Sequence, residues 1–166
     1  GLSGSISSML KAASEETTKL NFEKYDLNIL LEEVRFNLSA ALESIDASLN
    51  VTRLPVATVE PNLLRQLFQN LIENSIKHAG TDRLVITIHH KEENGEHVFF
   101  VGDNGKGIPE AKKEAVFTQF FKDGSAEGLG LGLTICQRIA NLHDGYMEIH
   151  DRVEKGCCML VRIAAK

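Results

Sequence analysis

Apolar residues recur along this chain at two spacings, and each spacing predicts its own kind of element. Ile6, Met9, Leu10 and Ala13 fall at helical intervals within residues 6–20, behind a polar, Gly/Ser-containing start. This segment fits the tail of a longer helix that begins upstream, or equally a docked terminal helix. Residues 22–27 then read as a short strand. Asn28 is placed to cap a helix in which Leu30, Leu31, Val34, Leu38, Ala41, Leu42 and Ile45 share one face. Leu49, Val51 and Val56 to Val59 suggest one or two short strands broken at Pro55. Pro61 suits the first turn of a helix running to about Ala79 and stopping at Gly80.

Leu84, Ile86 and Ile88 alternate with Val85, Thr87 and His89, which predicts a strand. Asn94-Gly95 is a hairpin signal, and the return strand spans 97–103. A polar stretch follows, with a short helix expected near 111–117. A helix is expected over 131–142, ended by Asp144-Gly145. Residues 146–151 and 157–163 read as a closing hairpin. Helices alternate with strands, yet several strand pairs are joined by short turns. The pattern predicts an α+β fold with helices on one face of a mixed sheet.

Composition narrows the function. At 166 residues the chain holds one domain with at most a short appendage. Its 18 basic and 23 acidic residues leave a net charge of -5, which does not suit a general nucleic-acid binder. No run is apolar enough to span a membrane. Three Cys, two of them adjacent at Cys157 and Cys158, do not make a disulfide framework and fit a reducing compartment, hence a cytoplasmic location. The two strand cysteines read as buried packing residues. Five of the 13 Gly fall in two clusters, Gly105 with Gly107, and Gly128 with Gly130 and Gly132.

Three places can carry chemistry. On the Pro61 helix, Asn70, Asn74 and Lys77 lie within an arc of roughly 60° at 100° per residue. Leu64, Phe68, Leu71, Ile72, Ser75 and Ala79 take the other side. That polar arc is either a solvated face or half of a site. Asp103 ends a strand before Asn104-Gly105-Lys106-Gly107, where a carboxylate can accept from an exocyclic amine and the glycines let a flat ring approach. The same residues also suit an ordinary Asx turn. Gly128-Leu129-Gly130-Leu131-Gly132-Leu133 runs into a helix, so backbone N–H groups and the helix start can face an anion. It is neither a Walker A loop nor a Rossmann fingerprint.

The order of these segments resembles the GHKL, or Bergerat, ATP-binding fold, and in particular the catalytic and ATP-binding domain of sensor histidine kinases. The residues that carry the likeness are Asn70-Leu71-Ile72-Glu73-Asn74-Ser75-Ile76-Lys77-His78, Asp103-Asn104-Gly105-Lys106-Gly107-Ile108-Pro109, Val116-Phe117-Thr118-Gln119-Phe120-Phe121-Lys122, and Gly128 to Leu133. The resemblance implies a two-layer α/β sandwich, with about three helices on one face of a mostly antiparallel sheet. It divides the chain into a flexible end and linker-helix remnant at 1–21 and a catalytic domain at 22–166, with a lid at about 104–130.

The resemblance also implies roles. Asn74 would ligate Mg²⁺, Asn70 would support that site, and Lys77 would reach a phosphate. His78 would lie near adenine, or else is a plain surface His. Asp103 would read the adenine amine, beside a pocket shaped by Gly105, Gly107 and Ile108. Gly128, Leu129, Gly130, Leu131, Gly132 and Leu133 would form the phosphate cradle. Phe117, Phe120 and Phe121 would anchor the lid. Gln119 stands where many family members carry a basic residue, leaving Lys122 as the cation nearest the γ-phosphate. The implied ligands are ATP and Mg²⁺, and the implied partners are a dimerisation domain bearing the phosphoacceptor His and a response regulator. The domain itself is expected to be monomeric, in a parent that is free or membrane-anchored. None of the six His is followed by the acidic residue and Pro of a phosphoacceptor helix, so the acceptor is expected upstream. A related ATP hydrolase would place a Glu where Asn70 stands. A Ser kinase of the anti-sigma kind and a degenerate nucleotide-binding module share the same segments and stay open at this level.

Overall fold

A computed structural model describes residues 20–77, 80, 83–105, 132–150 and 157–165. The 1–19 segment, the expected 111–117 helix and nearly all of the expected lid lie outside the described residues. The elements run β1 (Glu23–Asp26), α1 (Leu27–Asn37), α2 (Ser39–Ser44), β2 (Ser48–Val51), β3 (Val56–Val59) and α3 (Pro61–Lys77). They continue with β4 (Val85–Glu93), β5 (Glu96–Asp103), α4 (Gly132–Leu142), β6 (Tyr146–His150) and β7 (Cys157–Ala164).

The main sheet has the order β2-β4-β5-β7-β6, and β1 pairs with β3 in a separate two-stranded ribbon. Among the described residues of the main sheet, β2 pairs parallel with β4, and the remaining neighbours pair antiparallel. The α+β expectation of a mixed, mostly antiparallel sheet is met. Strand alternation decides which side chains meet the helices. Ile86, Ile88, Phe99, Val101, Met147, Met159, Val161 and Ile163 all enter the same core as Leu30, Leu31 and Val34 of α1 and Leu64, Phe68, Leu71 and Ile72 of α3. That core also takes Leu133, Cys136 and Ile139 from α4, so α1, α3 and α4 line one face. Phe68 and Phe99 anchor it edge to face, with ring centroids 5.5 Å apart.

Two boundaries differ from the sequence reading. Asp26, not Asn28, caps α1: its Oδ1 accepts from the Asn28 N–H at 2.9 Å. Asn28 instead clips the β2–β3 loop, donating to the Leu54 carbonyl at 2.8 Å and accepting from the Leu54 N–H at 2.9 Å. A side-chain amide can satisfy both backbone groups of one residue, whereas a cap carboxylate only accepts. The single helix expected through Ile45 is split at Leu38, which lies outside helical geometry at φ -103°, ψ 8°.

The turns follow their residue chemistry. Asn94 and Gly95 both take positive φ, as a tight hairpin requires. At the end of α4 the left-handed residue is Asp144, at φ 57°. Gly145 is needed for a different reason: a Cβ there would collide with the Arg162 carbonyl on β7. Pro61 opens α3 as expected, behind Glu60, whose carbonyl accepts the first helical bond from Leu64 N–H at 3.0 Å.

At the hairpin end of the sheet, His90 Nε2 and His97 Nδ1 share a 2.9 Å hydrogen bond on the helix-facing side. Burial holds both imidazoles below the ordinary value of 6.5, against the opposing pull of the Glu92 carboxylate. A folded-state value below the unfolded one means that the unfolded chain takes up protons first as pH falls. The neutral pair therefore contributes its full stability above about 6.5 and loses it as pH drops through the folded values. Thermal melting is expected at a lower temperature near pH 5.5 than near pH 7.5. Replacing both residues by Gln is expected to flatten that dependence, and an unchanged slope would assign it to other groups.

Candidate functional site

The site is built at the C-terminal end of α3, where two neighbouring elements arrive from different parts of the chain. Asp103 is the last residue of β5 and lies on the same strand face as Phe99 and Val101. It therefore points toward α3 rather than away from it. Its Oδ2 accepts from Ser75 Oγ at 2.8 Å, and its Oδ1 accepts from the Gly105 N–H at 2.8 Å. The Asx turn at Asp103 and the placement of Asp103 against the Asn-bearing helix are thus both present. Asn104 locks the turn to β4: it accepts from the Val85 N–H at 2.7 Å and donates to the Arg83 carbonyl at 3.0 Å.

The second arrival is α4. His143, just past its end, accepts at Nε2 from the Glu60 N–H at 3.1 Å, next to the start of α3. Its Nδ1 lies 2.8 Å from the Ile139 carbonyl and so carries the proton, which fixes a neutral tautomer. Further along, Cys136 Sγ donates to the Leu67 carbonyl at 3.5 Å and is hydrogen-bonded by the Asn70 side chain. The end of α4 thus meets the start of α3, and its middle meets the middle, so the helices run antiparallel. With a rise of about 1.5 Å per residue, this register puts Gly132, at the start of α4, level with Leu71, about one turn before Asn74.

The polar arc of α3 is only partly solvated, with Asn70 and Asn74 half-buried and Lys77 exposed. Leu67, on the same side as Asn70 and Asn74, is fully buried against α4. Asn74 Nδ2 is buried without a hydrogen-bond partner among the described residues. Buried amide groups are nearly always partnered, so this one marks a place where a further group belongs. Lys77 is exposed at the last turn, and Glu73 is exposed one turn earlier. Leu133 is buried in the core and fixes the start of α4 from below.

Asn74, Lys77, Asp103 and Gly105 are thus gathered at the C-terminal end of α3, with Asn70 about one turn earlier and Gly132 and Leu133 opening the neighbouring α4. His78, Gly107, Ile108, Phe121, Lys122, Gly128, Leu129, Gly130 and Leu131 lie outside the described residues, as do Phe117 and Phe120. Ser75, which lies within the Asn70–His78 segment with no role implied for it there, and Cys136, which lies in no motif, join the site. A serine on an otherwise apolar helix face needs a partner when buried, and that is the signal the sequence offers for it. Burial pushes the Cys136 thiol well above its ordinary value, with Asn70 opposing, and it also raises Cys158. Both cysteines are buried packing residues, as expected for Cys158.

This arrangement, a carboxylate at a strand end, an asparagine helix and a glycine-led helix start on one side of a mixed sheet, defines an ATP-binding domain of the Bergerat type. The family of histidine kinase-, DNA gyrase B- and HSP90-like ATPases matches residues 59–166, and the chain belongs to it. Within that family its similarities lie with sensor histidine kinases. It is 30% identical to the sensor protein KdpD of Escherichia coli K12, over 95% of this chain and 18% of KdpD. It is 30% identical to the adaptive-response sensory kinase SasA of a Synechococcus strain, over 91% of this chain and 42% of that protein. The catalytic domain of histidine kinase ThkA superposes with a TM-score of 0.71 at 25% identity, covering 88% of this chain and 97% of that domain. The chain spans less than half the length of these two curated relatives. It is an ATP-binding catalytic domain of the histidine kinase kind.

Proposed function

We propose that this domain binds Mg-ATP and transfers its γ-phosphoryl group to a histidine on the dimerisation helices of a two-component sensor kinase. The observation that carries the reading is that Asp103 is bonded to the last turns of α3, while α4 packs antiparallel along the same helix with its start toward that end. Asp103 is placed to accept a hydrogen bond from the adenine amine, since each carboxylate oxygen keeps a lone pair beyond those used by Ser75 and Gly105. In this reading Gly105, Gly107 and Ile108 would shape the ring pocket and His78 would stand near adenine. The glycines from Gly128 to Gly132 would offer backbone N–H groups to the phosphates. Lys77 and Lys122 would supply cations for the phosphate end, and Phe121 would anchor the lid.

Asn74 has the chemistry of a magnesium ligand in its neutral side-chain oxygen, and its Nδ2, unpartnered among the described residues, is left to meet an acceptor such as a phosphate oxygen. Mg²⁺ takes few protein oxygens beside phosphate and water. Asn74 would hold the ion, and Asn70, itself held by Cys136, would orient its waters. When bound, the ion neutralises charge on the phosphates; the chain's own groups orient the nucleotide and exclude water.

The acceptor is another part of the parent protein. His90 and His97 are bonded to one another, about 13 Å and about 20 Å along the sheet from Asp103 at about 3.3 Å per residue. His143 is bonded to Glu60 at the far end of α3. A hydrolytic reading finds no base among the described residues of α3: Asn70 occupies the position one turn before Asn74, and Glu73 faces solvent. The partners that follow are the dimerisation domain and, downstream, a response regulator.

Asp103→Asn turns an acceptor toward the adenine amine into a donor, and is expected to weaken ATP binding by more than about tenfold, a hydrogen bond to a charged group being at stake. Calorimetry checks it, and near-wild-type affinity would remove Asp103 from the site. Asn74→Ala is expected to weaken the Mg²⁺ dependence of nucleotide binding, read by titrating the metal at fixed ATP; an unchanged titration would count against the assignment. With labelled ATP the chain is expected to leave itself unlabelled and to label an added histidine-bearing dimerisation domain of its parent. Label on one of its own six His would overturn the placement of the acceptor.

A further inference from the structure

We propose that Ser75 is a positioning residue for adenine recognition, holding the Asp103 carboxylate in the rotamer that meets the 6-amino group. The inference rests on the adenine reading of Asp103 given above. Serine inside a helix ordinarily turns its hydroxyl back onto its own helix. Ser39 and Ser44 turn back locally in this way, donating to the Phe36 and Ala41 carbonyls at 2.9 and 2.7 Å. Ser75 instead donates across the fold, to a carboxylate 28 positions later in the sequence.

The two donors on Asp103 divide its oxygens. The Gly105 N–H holds Oδ1 from within the same turn, and Ser75 Oγ holds Oδ2 from α3. The turn bond by itself leaves the carboxylate free to rotate about its remaining torsion. The second bond, from a different element, fixes the plane. Ser75 is also the immediate neighbour of Asn74, whose amide nitrogen is unpartnered among the described residues. One step of helix backbone therefore joins the residue that orients the purine acceptor to the residue proposed for the metal. The same bond docks the end of α3 on β5, about two helical turns beyond the Phe68–Phe99 contact.

A hydroxyl that only pins α3 to β5 affects every nucleotide equally; one that orients Asp103 affects only nucleotides carrying the amine. The test compares ATP with purine riboside triphosphate, which has hydrogen in place of the 6-amino group, on the whole chain by calorimetry. Ser75→Ala is expected to weaken ATP binding about tenfold, the scale of one hydrogen bond to a charged group, and to change the analogue's affinity less than about twofold. Ser75→Thr, which keeps the hydroxyl, is expected to restore ATP affinity to within about threefold. Equal losses on both nucleotides, or no loss on either, would overturn the role. If Ser75→Ala does not fold, Ser75→Cys, similar in volume but a weak donor, carries the same comparison. Asp103→Asn separates the two levels. Should it leave ATP binding intact, the adenine reading falls and this inference with it. Should it lose ATP binding while Ser75→Ala keeps it, only the role of Ser75 falls.

Discussion

The structure depends on α3 being buried on two sides. One side lies on the sheet, where Phe68 meets Phe99 and Ser75 meets Asp103. The other lies on α4, where Leu67 and Asn70 meet Cys136. A helix held on two sides cannot rotate, so the direction of each polar group is set by the packing. Asn62, Glu73 and Lys77 are left to solvent, Ser75 is bonded within the fold, and Asn74 is half-buried beside it with its amide nitrogen unpartnered among the described residues.

The contacts that fix the frame are chemically different from those that would do the chemistry. The frame uses large apolar side chains, a neutral His143 bridging Ile139 and Glu60, and a buried thiol on a carbonyl. The groups at the α3 end are amides, a carboxylate, a hydroxyl and backbone N–H groups. Groups of these kinds can bind phosphate, metal and purine without undergoing proton transfer. That suits phosphoryl transfer, where a protein contributes positioning and charge stabilisation far more than acid–base chemistry. The amide in place of a carboxylate at position 70 points the same way.

Much of the fold can be read from the sequence because its periodicities are strong. The alternation from Leu84 to His89, the Asn94-Gly95 turn and the apolar stripe of α3 each fix one element with one local rule. What escapes such rules depends on partners far along the chain. The Asn28 side chain serves Leu54 rather than its own helix, and Asp26 takes the cap that Asn28 leaves. Gly145 follows a left-handed Asp144, and its requirement comes from Arg162 on a neighbouring strand. Local propensity carries no information on which distant backbone will pass within contact distance.

The same division holds for the site. Residue types and their order are set in one dimension: paired asparagines on a helix, a carboxylate at a strand end, glycines before a helix. Those types set the class of ligand, because amide oxygens, carboxylates and open backbone N–H groups have fixed hydrogen-bonding and charge preferences. It takes the folded chain to turn the arc bearing Asn70 and Asn74 toward α4 rather than water, and to give Ser75 to the Asp103 carboxylate. Both follow from the packing of α3 between sheet and helix, a three-dimensional constraint that no one-dimensional spacing contains.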